Sequence, residues 1–135
     1  MIDPKYKYSD ITERIIKCAM NVHTYLGNGF QEVIYQRALA IEFEKAGLHF
    51  SREEEVSIFY HEAHIGTRRV DFFVEDHILV EIKAVTIIEN SHLAQAINYL
   101  EAFDREIGLL INFGKPSLEF KRLTNKKVKV KILSN

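Results

Sequence analysis

Three side chains near the middle of this 135-residue chain have types and spacing that could do chemistry: Asp71, Glu81 and Lys83. The run Ile78-Leu-Val-Glu81-Ile-Lys83-Ala-Val-Thr-Ile-Ile88 is apolar at both parities, which is the pattern of a strand covered on both faces. Into it are set a carboxylate and an ammonium two residues apart, and therefore on one face. Buried charges are costly unless they are paired, hydrogen-bonded or bound to a cation. The preceding β-rich run, Arg69–Val74, offers a partner, because the polar turn Glu75-Asp76-His77 joins the two runs as a hairpin. A turn centred on Asp76 sets Asp71 opposite Glu81, since each stands five residues from it. Their Cβ atoms then lie roughly 5 Å apart. Facing carboxylates repel, and a hard divalent cation such as Mg²⁺ or Mn²⁺, which takes oxygen ligands, reverses the repulsion. The competing reading is an ion-paired strand in which Lys83 neutralises Glu81 or Asp71. A register slip of one residue would turn the two carboxylates to opposite faces.

The elements that must position these residues follow from hydrophobic period and stop signals. Asp10-Ile-Thr-Glu13 has the form of a capping box, and Ile11, Ile15, Cys18/Ala19 and Val22 then recur at helical spacing to about Leu26. Gly27-Asn-Gly29 breaks that helix. A second runs from about Gln31 to Gly47, with Val33/Ile34, Leu39, Ile41 and Phe43 among its apolar positions. Val56–Tyr60 reads as a strand and His61-Glu-Ala-His64 as the turn after it. Ser91 is an N-cap for a third helix through about Phe103. Ile107–Phe113 is a further buried strand ended by Gly114-Lys-Pro116, and two short strands follow near Leu118–Leu123 and Val128–Leu133. This order predicts an α/β or α+β domain, a sheet flanked by helices. No repeat, low-complexity tract or linker divides it, so residues 1–135 are expected to form one domain.

These residues match a known pattern. Asp71, ten residues before Glu81-Ile-Lys83, resembles the D…(D/E)-x-K core of the PD-(D/E)XK nuclease superfamily. Gly29-Phe-Gln-Glu32-Val-Ile-Tyr35 is similar to the signature of the GxxExxY proteins, a group assigned to that superfamily. His23, Gly27, Arg69-Val-Asp71, Val74-Glu-Asp76 and Leu109-Leu-Ile-Asn-Phe-Gly114 extend the likeness over roughly residues 10–123. The resemblance implies a restriction-endonuclease-like central mixed β-sheet flanked by α-helices. It implies a divalent-metal-dependent nuclease acting on DNA, with RNA as the alternative. Asp71 and Glu81 would hold Mg²⁺ or Mn²⁺, with the Ile82 backbone carbonyl as a third donor and Glu32 supporting the metal through water. Lys83 would assist the attacking water. Gln95-Ala-Ile-Asn-Tyr99 matches the Q-x-x-x-Y element of the exonuclease-like branch; four residues apart on a helix, Gln95 and Tyr99 share a face and would position substrate or the lysine. Val70 stands where the superfamily's proline would be. The superfamily also holds members that kept the fold and lost the activity, so the alternative is a catalytically silent nucleic-acid-binding or protein-interaction module.

Composition narrows the class. The chain is 47% hydrophobic and 27% charged, ordinary for a globular protein. No apolar run approaches the ~20 residues that span a bilayer, and the N-terminus lacks the apolar core of a secretory signal, so a cytoplasmic protein without membrane contact is expected. The single cysteine, Cys18, excludes an internal disulfide and reads as a small buried apolar residue. The histidines have no paired-cysteine arrangement, which argues against structural zinc. The net charge of −1 is uneven: residues 121–135 hold six basic groups and no acid, leaving 12 of the 18 basic groups against all 19 acidic ones elsewhere. That segment is a candidate phosphate-facing surface, although alternating Lys127, Lys129 and Lys131 also suit edge-strand protection. A homodimer spanning a duplex is compatible with so small a domain.

Overall fold

The computed structural model describes residues 7–127. The element order is α1 (Ser9–Leu26), α2 (Glu32–Lys45), β1 (Phe50–Tyr60), β2 (Ala63–Val74), β3 (Ile78–Lys83), α3 (Asn90–Phe103), β4 (Ile107–Asn112) and β5 (Glu119–Thr124). The five strands form one mixed sheet in the order β1-β2-β3-β4-β5; β3 and β4 run parallel, joined through α3, and the other pairings are antiparallel. The expected α/β architecture, a central mixed sheet flanked by helices, is what the chain adopts.

Both faces of the sheet are covered at its centre, which explains the uninterrupted apolar run of β3. Phe72, Val74, Ile78, Val80 and Ile82 pack with Leu109 and Ile111 against α1 and α2. Val70, Phe73, Leu79 and Leu110 pack with Ala96 and Leu100 beneath α3. Cys18 is 5% exposed, a core residue as its helical position suggested. Among the described residues, no helix is long and apolar enough to cross a membrane.

Helix ends follow tertiary contacts more than local signals. α1 starts at Ser9 after Tyr8 in the left-handed region, so Asp10 lies in the first turn instead of capping it, where its charge favours the helix N-terminus. Gly27, φ 76°, closes α1 as expected, and Gly47, φ 72°, turns the chain after α2 while Leu48 N–H bonds the Phe43 carbonyl. Within α2 the inward positions are Tyr35, Gln36, Leu39, Ala40 and Phe43; Val33 and Ile41 face out. The N-cap of α3 lies two residues before the anticipated Ser91, because Glu89 and His92 cap the helix reciprocally. β1 and β2 form a much longer ribbon than the two short runs predicted, turning tightly at His61-Glu62. β3 ends at Lys83 and does not continue to Ile88. The strand expected near Val128–Leu133, with Lys129 and Lys131, lies outside the described residues. Of the other C-terminal basic groups, Lys127 pairs with Glu101 at 3.5 Å and Arg122 donates to the Lys7 carbonyl at 2.8 Å.

Candidate active site

The β2–β3 hairpin is symmetrical about Asp76, as the sequence suggested. Val74 pairs with Ile78, Phe73 with Leu79 and Phe72 with Val80. Glu75 and Asp76 both take positive φ, 53° and 60°, so that the turn's twist matches that of the strands. The backbone ladder stops at Phe72 and Val80, one pair short of Asp71 and Glu81. On the other side, β1 pairs Arg52 with Phe72 and Glu54 with Val70 but skips Glu53 and Asp71, and Glu53 has φ 55°. Asp71 therefore sits at a break in both ladders, where β2 parts from β3 and its pairing with β1 skips a residue.

Side chains replace the missing ladder bonds. The Asp71 N–H donates to Glu81 Oε1 at 2.9 Å, and the Ile82 N–H donates to Asp71 Oδ2 at 2.7 Å. Asp71 Oδ1 accepts from Gln36 Nε2 of α2 at 2.8 Å. Glu81 is only 7% exposed. Burial, and then the neighbouring Asp71 charge, push its carboxyl up to about 8, against smaller opposing effects of the Asp71 N–H and Lys83. Burial likewise raises Asp71, although the Ile82 N–H, Gln36 and Lys83 favour its anion. Neither carboxylate forms an ion pair among the described residues. Lys83, half-buried and on the same face of β3 as Glu81, acts on both through space without a direct bridge. The ion-paired-strand reading is thus not the arrangement adopted.

The other sequence-derived candidates are placed unequally. Glu32 is exposed in the first turn of α2, near enough for its charge to act weakly on Glu81. Among the described residues no three acidic, histidine or cysteine side chains converge as a ready ligand set, so Glu32 does not join the pair directly. Ile82 contributes its N–H to Asp71. Tyr99 is half-buried on α3, its phenol pushed up by burial and then by Glu81, with Asp71 a smaller contributor. Gln95 and Tyr99 line an open groove of about 490 Å³ between α3 and the β1–β2 ribbon, with Ile58 and Arg68 opposite. His23 and His92 serve structure: His23 Nε2 lies 2.8 Å from the Lys115 carbonyl, and His92 caps α3.

Three supporting residues escape sequence reasoning. Gln36 is one, since an amide on a helix carries no signal of its own in a sequence. Asn112, fully buried at the end of β4, bonds both the N–H and the carbonyl of Val85, pinning the chain just after Lys83. Tyr35 donates to the Gly27 carbonyl at 2.6 Å and accepts from the Phe30 N–H at 3.1 Å, tying down the loop that leads into Glu32. Its place in the G-x-x-E-x-x-Y spacing could have signalled that role.

The sequence profile of the PD-(D/E)XK nuclease superfamily matches residues 9–123 of this chain. The chain belongs to that superfamily. No curated protein matches it. A solved structure, described as "Crystal structure of SSO0001", is similar at 20% identity with a TM-score of 0.54, over 87% of this chain and 58% of that one. At that identity the likeness concerns the fold, and this chain spans less than two thirds of its length. Superfamily membership carries the expectation of a nuclease.

Proposed function

We propose that this chain is a divalent-metal-dependent nuclease of the GxxExxY group that hydrolyses phosphodiester bonds in DNA, with RNA as the alternative substrate. The observation that carries the reading is the buried Asp71–Glu81 pair, two carboxylates tied to each other's strands at the hairpin mouth, with no Lys, Arg or His ion pair to either among the described residues. An all-oxygen donor pair of this kind fits Mg²⁺ or Mn²⁺. Asp71 and Glu81 would hold the ion, with the Ile82 carbonyl as a further donor and Glu32 contributing through water. When bound, the ion would supply Lewis acidity toward the phosphate and lower the pKa of water.

The chain's own groups divide the remaining work. Lys83, at the edge of the pair, would hold the attacking water and donate to a non-bridging phosphate oxygen. Asp71, gripped through both oxygens, keeps a fixed orientation and costs no reorganisation as charge develops. Gln95 and Tyr99, on the wall of a groove whose Tyr99 lies within electrostatic reach of the carboxylates, would position the substrate backbone, and Arg68 would neutralise a phosphate. We place this work in one cytoplasmic domain, small enough that a homodimer is the assembly compatible with spanning a duplex. A non-catalytic interaction module on the same fold is favoured by one feature, the exposed Phe59, Tyr60 and Ile65 around the ribbon's tip.

Cleavage of single- and double-stranded substrates with Mg²⁺ or Mn²⁺ separates the two. Nuclease function predicts metal-dependent cleavage that Lys83→Ala and Asp71→Ala each reduce at least ~100-fold. Cleavage surviving both substitutions would place the chemistry elsewhere, and no cleavage by the wild type would favour the module.

A further inference from the structure

Gln36 is a buried amide, 6% exposed, whose two ends meet opposite charges. Its Nε2 donates to Asp71 Oδ1 at 2.8 Å, and its Oε1 accepts from Arg52 Nη2 at 2.9 Å. A guanidinium can only donate and an ionised carboxylate can only accept. The amide therefore has one allowed sense, since turning it over would set NH₂ against Arg52 and oxygen against Asp71. Three elements converge to build the contact. Gln36 lies one turn beyond Glu32 on α2, Arg52 lies on β1 opposite Phe72, and Asp71 stands just before Phe72 at the break in β2. With the Ile82 N–H on Oδ2, Asp71 is held at both oxygens, from the helix side and from β3, while lone pairs remain on each oxygen.

We propose that Gln36, its sense locked by Arg52, is a positioning residue that fixes the Asp71 carboxylate in the orientation that takes up a divalent cation. This rests on the reading that Asp71 and Glu81 hold such an ion. Without the amide, one backbone N–H alone would restrain Asp71, and its carboxylate could rotate. Outer partners of metal-binding side chains commonly account for 10–100-fold in affinity.

The test is calorimetric titration of the full chain with Mn²⁺, alongside thermal unfolding of the metal-free protein. Gln36→Met keeps the length of the side chain and removes the donor. It should weaken Mn²⁺ binding roughly 10–100-fold with little change in the metal-free melting temperature, a split that a merely structural role would not give. Arg52→Lys, which still donates to Oε1, should retain most of the affinity, and Arg52→Met should lose part of it. Gln36→Met binding Mn²⁺ like the wild type would overturn the positioning role and leave the metal reading standing. Wild type and Asp71→Asn taking up Mn²⁺ alike would overturn the metal reading and the positioning role together. If Gln36→Met does not fold, Arg52→Met decides: weakened binding supports the role and unchanged binding overturns it.

Discussion

Glu81 holds an unfavourable position when ionised, and that position has a measurable consequence. Its carboxyl is pushed up from 4.5 to about 8, by burial first and by Asp71 second. A group whose folded value exceeds its unfolded value binds protons more tightly in the folded state. Its stabilising contribution is complete below about 4.5 and is lost as pH rises through about 8. Metal-free Glu81→Gln should therefore match the wild type near pH 4.5 and exceed it increasingly toward pH 9, by on the order of several degrees in melting temperature. Parallel stability profiles of the two proteins would contradict the buried, repelled carboxylate. Asp71, Glu81 and Lys83 were legible in the sequence because charge inside an apolar strand is costly and stands out. Gln36 was not, because an uncharged amide on a helix face becomes informative only when Asp71 and Arg52 are seen at its two ends.

At the scale of elements, pairing symmetry was legible and boundaries were not. A tight turn about Asp76 leaves one register that keeps the apolar residues of both strands buried, and the three observed pairs obey it. The end of β3 depends instead on β4, where Asn112 and Gly114 hold Ala84 and Val85 close, a contact distant in sequence. A Cβ at Gly114 would lie 2.4 Å from the Val85 nitrogen. Gly114→Ala should therefore destabilise the fold by about 1–3 kcal/mol, and should depress activity by displacing the segment that follows Lys83. Chemical denaturation checks the first effect, and an unchanged midpoint would mean that this approach is slack. The ribbon of β1 and β2 was underestimated because its outer part is solvated on both sides, so residues 52–55 and 67–69 show no apolar alternation. Arg69 pairs there with Glu53 and Glu55, both at 3.2 Å, and such exposed pairs leave no hydrophobic trace in a sequence.

At the scale of the whole molecule, a sheet whose centre is covered on both faces carries the carboxylate pair at one hairpin mouth, with α2 bonding it through Gln36 and Tyr99 of α3 within electrostatic reach. The superfamily fold was readable because its apolar periods and its charged exceptions point to the same architecture. The groove beside α3 was less readable, since Arg68 and Tyr99 meet across it only after folding. A cation centre built on Asp71 and Glu81 would link metal uptake to protons, because a ligand must ionise before it binds. The direct measurement is calorimetric titration of Mg²⁺ or Mn²⁺ in buffers of differing ionisation enthalpy, from pH 6.5 to 9. Roughly one proton should be released per ion at pH 7, falling toward none at pH 9 as affinity rises, and Glu81→Gln should abolish the release. Uptake without proton release, unchanged by Glu81→Gln, would place any bound metal elsewhere and contradict the account.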